Sequence, residues 1–210
     1  MLTLKQAWDI IGGLSEPSKM PCHSFSIPAS RCKTGKKLRK LAGSVCSKCY
    51  ALKGRYAFGV VQKALERRFA NLNHPEWVPA MTMLLHAHED SGFFRWFDSG
   101  DVQSVEMLER IVQVCRNTPH IQHWLPTREY GIIASYLRKN IVFPSNLTVR
   151  VSAYMLDDAP PVAFARTFGV VTSGVSKESY SCPAYSQGGK CLACRACWNK
   201  GVANVSYKLH

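Results

Sequence analysis

No run of eighteen apolar residues occurs in the chain, so a membrane-spanning helix is not expected. No Gly-x-Ser-x-Gly elbow is present, which leaves a serine hydrolase without sequence support. A Walker-type phosphate loop is missing too. So are two nucleic-acid fingerprints, the finger with Cys-Cys-His-His spacing and the aromatic sheet motif of RNA recognition. The N-terminal stretch MLTLKQAWDIIGGLSEPSK carries charges inside its apolar part and lacks a small-residue cleavage site. It is not read as a signal peptide, and a cytoplasmic location is expected.

Acidic residues are scarce. Fourteen Asp and Glu stand against 27 Lys and Arg, a formal charge of +13, with one dense basic run at CKTGKKLRK. Such a surplus suits plain solubility as well as nucleic acid, an anionic cofactor or a phosphate-bearing small-molecule substrate. With 46% hydrophobic and 20% charged residues the chain reads as globular and not disordered. Its 210 residues suffice for a single domain. That domain divides into cysteine-containing loops over 1–50, a β/α core over 51–180 and a cysteine-rich tail over 181–210.

The core segments alternate in rhythm. RYAFGVVQKALERRFANLN and PEWVPAMTMLLHAHED have apolar residues three and four apart, as helices do. GFFRWFDSGD is strand-like and ends in turn residues. In SVEMLERIVQVCRNTP, Val105, Leu108, Ile111, Val112 and Cys115 share one helical face, Ser104 can cap its start, and Pro119 lies beyond its end. HIQHWLP reads as a strand, REYGIIASYLRKN as a helix and NLTVRVSAYM as a strand. PPVAFARTF reads as a short helix and GVVTSGV as a strand. Alternation at this spacing predicts an α/β fold, either a partial (β/α) barrel or an open parallel sheet with crossover helices. Chemistry in such sheets gathers beyond the carboxyl ends of the strands, where DSGD, PTRE and the residues after VRVS would share a cleft.

What the chain has in abundance is cysteine, nine in all. In a reducing compartment these read as metal ligands before disulfides. Cys182, Cys191, Cys194 and Cys197 follow an x8, x2, x2 spacing. Two successive x2 gaps bring three thiolates together from one tight loop. That pattern suits a [4Fe–4S] cluster, while zinc is the alternative for four thiolates. Cys32, Cys46 and Cys49 form a second group, and three ligands on a four-iron cluster leave one iron free for a small molecule. Cys22 either completes that quartet or is a plain loop cysteine. Cys115 reads as a core residue. The seven thiols hold two clusters, or one cluster draws on both groups.

Asp98, Asp101 and Glu129 fall at strand ends, where they can act as acid, base or cofactor anchor, or simply cap loops and pair with Arg95 or Arg128. Arg128 can hold an anionic group with its planar fork. His86 and His88 point to different helix faces and do not make a metal pair. His120 and His123 read as packing or surface residues.

The pieces VCSKCYALKGRY, FRWFDSGD, HWLPTRE, VRVS and CRACW…VSYKLH together resemble the phage gene-product-eighty-eight-like family, from about Cys22 to His210. That resemblance implies a bacteriophage protein with an iron–sulfur cluster. A more distant similarity is to radical S-adenosylmethionine enzymes, which have a partial β/α barrel. By that likeness Cys46 and Cys49 match the last two cysteines of the cluster loop, and Tyr50 the aromatic near it. Ser99-Gly100-Asp101 matches the turn that holds the methionine amine, and Arg150 and Ser152 match contacts to ribose or carboxylate. The usual first cysteine falls on Ala42, so Cys32 would replace it from a longer loop.

Three functions are consistent with these residues. The first is an iron–sulfur enzyme in which Asp101, Arg150 and Ser152 position bound S-adenosylmethionine. The second is a cluster-dependent hydrolase in which a free iron is the Lewis acid and a nearby carboxylate the base. The third is a nucleic-acid-binding module with a structural metal.

Overall fold

The computed structural model describes residues 1–139 and 142–209. Its centre is a six-stranded sheet in which every neighbouring pair is parallel and the strands follow chain order. The strands are β1 (Ser24–Phe25), β2 (Phe93–Trp96), β3 (Gln122–Thr127), β4 (Leu147–Ser152), β5 (Val171–Ser176) and β6 (Asn204–Lys208). The helices are α1 (Leu4–Ile11), α2 (Lys33–Leu38), α3 (Gly59–Ala70), α4 (Trp77–His88), α5 (Val105–Asn117), α6 (Tyr130–Leu137) and α7 (Val162–Phe168). The fold is an open parallel α/β sheet with crossover helices. The helix expected over REYGIIASYLRKN is α6; its last expected residue, Asn140, lies outside the described residues, as does His210 of VSYKLH.

Strand periodicity sorts the two faces of the sheet. Phe94, Trp96, Leu125, Leu147 and Val149 pack with Trp77, Leu84, Leu85, Leu108 and Ile111 from the helices. Right-handed crossovers between successive parallel strands favour this stacking of helices on one face. Burying each large apolar side chain there contributes about 1.5–3 kcal/mol. The alternate residues face the other side. Phe93, Trp124, Val205 and Tyr207 pack there with Cys22, Cys182, Cys197 and Trp198, so the C-terminal tail covers part of that face. All six residues of β4 are buried, as expected for a strand covered on both sides.

Helix α5 forms as its signals predict. The Ser104 hydroxyl accepts from the Met107 N–H at 3.2 Å, and Leu108, Ile111, Val112 and Cys115 are buried. Two expectations need correction. Residues 1–50 are not only loops: they supply α1, β1 and α2. Helix α1 carries a capping box between Thr3 and Gln6 and ends on Gly12. The tail is likewise more than a loop, because its last residues form β6 beside β5. Among the described residues no helix is long and apolar enough to cross a membrane.

Candidate functional site

The face opposite the helices opens into a cavity of about 490 Å³. Cys32, Cys46 and Cys49 line it from the N-terminal part of the chain, and Cys182, Cys191 and Cys197 from the tail. Two regions 130 or more residues apart in sequence therefore meet on one space. Polar residues after β2 and β3 and the last residue of β4, Ser152, also line it from the carboxyl ends of the strands, as the parallel topology requires; the residues after β4 do not.

The N-terminal thiols are held by short turns. Cys32 immediately precedes α2. Ser44 caps the turn Val45–Lys48 by accepting from the Ser47 N–H at 3.0 Å. The Val45 N–H donates to the Tyr154 carbonyl at 2.9 Å, tying this turn to the segment after β4. Gly35 leaves the space these thiols use. A Cβ there would stand 2.9 Å from Cys32 Cβ, 3.6 Å from Cys46 Sγ and 3.7 Å from Cys32 Sγ. Ala42 is exposed, and it is Cys32 that stands near enough to Cys46 and Cys49 to feel their charge. Burial pushes the Cys32 thiol up, and Asp101, Cys49, Cys46 and Glu129 push the same way. Burial also raises Cys46, against the pull of the Arg128 guanidinium.

The tail is fastened by a buried arginine. Arg150 Nε donates to the Cys197 carbonyl at 3.0 Å and Nη1 to that of Thr172 at 3.0 Å. Its Nη2 donates to the carbonyls of Ala196 and Asn199 at 2.7 and 2.8 Å. Thr148 donates to the Trp198 carbonyl, and the Trp198 indole to that of Phe94, at 2.7 and 2.9 Å. The Cys191 N–H bonds the Lys19 carbonyl at 2.9 Å, and Cys197 Sγ lies 3.3 Å from the Tyr207 hydroxyl. Burial pushes the Cys197 thiol up to about 11. Cys194 follows in the same loop, outside the cavity lining. Cys22 is buried on the tail side, with its thiol raised to about 12 by burial, Glu89 and, more weakly, Cys191. Sequence spacing gave no signal that Cys22 neighbours the tail and not Cys32. Cys115 packs in the helix-side core.

The candidate polar residues separate by what they touch. Asp101 is buried and lines the cavity; it accepts from the Thr127 hydroxyl at 2.6 Å and from the N–H groups of Val102 and Arg128 at 2.8 and 2.9 Å. Burial is the main reason its carboxyl is pushed up to about 6. Arg128 lines the cavity with its Nε committed to the Ala153 carbonyl at 3.1 Å. Ser152 lines it with its hydroxyl 2.8 Å from that of Ser173. Asp98 lines it too, accepting from Ser24 at 3.0 Å and Tyr56 at 2.6 Å. Ser99 donates to the Ile27 carbonyl at 3.0 Å, and Gly100 has φ +84 against the same residue. Both reach the cavity wall, yet their bonds fasten the DSGD turn to the chain after β1.

Glu129 and Arg150 stand apart from that lining. The Glu129 carboxylate accepts from the Thr34 N–H and hydroxyl, at the start of α2. Arg150 is fully buried and binds the tail carbonyls described above. Both roles expected of them at a ligand are taken up by the chain itself. His123 is buried against Trp96 with its pKa lowered to about 3 by burial, a core histidine.

Arg95 is the cavity residue that sequence reasoning weighed only as an ion-pair partner. Its guanidinium lies 4.5 Å over the Trp124 ring. Its terminal nitrogens also lie 3.5 Å from Met20 Sδ and 3.4 Å from the Phe97 carbonyl, Tyr50 and Asp98 act on its charge, and among the described residues its buried Nε has no hydrogen-bond partner. The signal was its place in FFRWF, where the charge falls on the face away from Phe94 and Trp96. Among the described residues no three His, Cys, Asp or Glu side chains stand close enough to hold a single metal ion. The thiols nevertheless form the soft donor set that iron–sulfur clusters and zinc take.

No curated protein and no solved structure matches the chain. A family model described as gene product 88 matches residues 3–200, and the chain belongs to that family.

Proposed function

We propose that this chain is a phage [4Fe–4S] protein and an enzyme resembling radical S-adenosylmethionine proteins. One observation carries the reading: six thiols from the two ends of the chain line a single cavity with Asp101, Arg128 and Ser152. Cys32, Cys46 and Cys49 would hold one cluster. Cys182, Cys191, Cys194 and Cys197 would hold a second. The space left by Gly35 beside Cys32 and Cys46 supports the fit of the first group. When bound, a reduced cluster supplies one electron.

The chain's own residues account for the rest. Metal loading needs thiolates, and Cys32, Cys46, Cys191 and Cys197 are all held toward the protonated form by burial. Loading would therefore release protons. Arg128, whose only side-chain bond among the described residues is through Nε, presents its terminal N–H groups for a carboxylate. Asp101 can hold a proton near neutral pH at its carboxyl. The Ser152 and Ser173 hydroxyl pair can orient a hydroxyl or amine. Phe97, Trp124, Tyr56 and Tyr207 supply apolar wall that keeps water from the reactants.

The test is anaerobic. Protein reconstituted with iron and sulfide is equilibrated with S-adenosylmethionine by dialysis, then reduced with dithionite. Binding and release of 5′-deoxyadenosine are expected. Neither binding nor cleavage by a fully loaded protein would remove the enzyme reading.

A further inference from the structure

Residues 17–65 contain no aspartate or glutamate, yet hold 11 of the chain's 27 Lys and Arg. The stretch forms α2, the turns around Cys46 and Cys49, and the chain leading into α3. Arg31, Lys33, Lys36, Lys37, Lys40 and Lys48 are among its exposed cations. Of its Lys and Arg, among the described residues, only Arg31 has an ion-pair partner, Glu66 at 3.1 Å. Apolar and aromatic side chains stand out between the charges: Phe58 is 59% exposed and Tyr50 44%. The same segment frames the cavity, since Cys32, Lys48, Tyr50 and Tyr56 line it.

A dense field of cations that carries no acid of its own attracts a polyanion. Exposed rings among those cations add sequence-tolerant stacking, the combination that grips single-stranded nucleic acid. A duplex groove calls for a longer helix than the six-residue α2. An anionic membrane also attracts cations beside apolar groups. It offers nothing, however, for the enclosed space behind this face, where Arg95 lies over Trp124 with its Nε unpaired. A planar base carrying a phosphate matches both the aromatic wall and that charge.

We propose that this cation-rich face binds single-stranded nucleic acid and that the cavity behind it receives one nucleotide of the strand. The proposal rests on the reading of the cavity as a reaction chamber only for the captured nucleotide; binding to the face needs no metal.

Fluorescence anisotropy of the full-length protein with labelled single-stranded DNA and RNA tests it, on metal-free and anaerobically loaded samples alike. Affinity should fall steeply between about 50 and 200 mM salt. Lys36→Glu/Lys37→Glu/Lys40→Glu should weaken binding about tenfold or more and flatten the log–log salt slope by about 2. Phe58→Ala should weaken it about fivefold or more with the slope unchanged. A strand bearing one 4-thiouridine should crosslink to Tyr50, Tyr56 or Trp124. Equal losses from Arg116→Glu/Lys139→Glu/Arg166→Glu, on α5, just after α6 and on α7, would reduce the effect to net charge and overturn the face. Tighter binding to anionic vesicles or to inorganic polyphosphate would overturn the nucleic-acid assignment. Crosslinks that avoid all three cavity residues would overturn the captured nucleotide. A loaded protein that binds strands but not S-adenosylmethionine would leave this proposal standing and the enzyme reading refuted.

Discussion

Glu129 grips Thr34 across 95 residues of sequence: its two carboxylate oxygens accept from the Thr34 N–H at 2.8 Å and from its hydroxyl at 2.7 Å. Thr34 stands two residues after Cys32, so this grip fixes the loop that delivers the first thiol to the cavity. Glu129→Gln sets an NH2 group against one of those donors. A loss of about 1.5–3 kcal/mol is expected in urea unfolding. In metal-free protein Cys32 should react faster with a thiol reagent while Cys191 keeps its rate. Unchanged Cys32 reactivity would show that the grip does not set the loop.

Gly100 closes the DSGD turn against Ile27. A Cβ on it would stand 2.3 Å from Ile27 Cγ1 and 2.7 Å from the Ile27 carbonyl oxygen, at φ +84. Gly54 shares the left-handed region, with φ +53, but a Cβ on it meets nothing within 4 Å among the described residues. Gly54→Ala should cost about 1–2 kcal/mol from backbone strain alone. Gly100→Ala should cost at least about 3 kcal/mol, because overpacking adds to the strain. Equal losses in the two variants would contradict the contact.

Arg150 donates to four carbonyls, three of them in the tail loop that holds Cys197. Arg150→Met takes a donor from all four, although the Ala196 and Asn199 carbonyls keep their bonds from the Asn199 and Val202 N–H groups. Destabilisation on the order of 3–5 kcal/mol is expected. Trypsin should cut near Lys190, Arg195 and Lys200 well before it cuts the core. A tail as resistant as in the parent protein would mean that the Trp198 and Thr148 bonds suffice.

Asp101 gives a pH dependence with a definite sign. Its carboxyl is raised from 3.8 to about 6, with burial the leading cause. The folded protein then binds this proton more tightly than the unfolded chain. Stability from this group therefore falls as pH rises from 3.8 through about 6, by on the order of 3 kcal/mol, and the loss is complete above that window. Carbon-13 NMR titration of the Asp101 carboxyl should give a midpoint near 6. A midpoint at or below 3.8 would contradict the burial argument.

Much of the fold was legible because its signals are local. The 3.6-residue period of Leu108, Ile111, Val112 and Cys115 and the Ser104 cap define α5 in sequence and in space. The strands β2 to β5 were readable from apolar runs ended by turn residues. β6 was not, although Val205 and Tyr207 alternate with polar residues: two apolar positions in a short cysteine-rich tail are a weak signal, and pairing with β5 completes the strand. Helix α1 was missed although Thr3 and Gln6 spell a capping box. The cysteine spacing identified two groups of thiols, but meeting on one cavity is a tertiary fact that spacing does not encode. Cys22 and Arg95 show the same limit: Lys19 bonding to Cys191, and Trp124 lying under Arg95, join segments far apart in the chain. Arg150 and Glu129 looked like ligand contacts because charged residues at strand ends often are, whereas here backbone carbonyls and Thr34 occupy them.

The central claim is that the two groups of thiols hold iron and sulfide. Iron, zinc and acid-labile sulfide per chain, measured on anaerobically purified protein and on Cys32→Ser/Cys46→Ser/Cys49→Ser, test it most directly. About eight irons and eight sulfides are expected in the parent protein, and about half of each in the variant. Zinc without sulfide, or neither metal in a folded parent protein, would contradict the account.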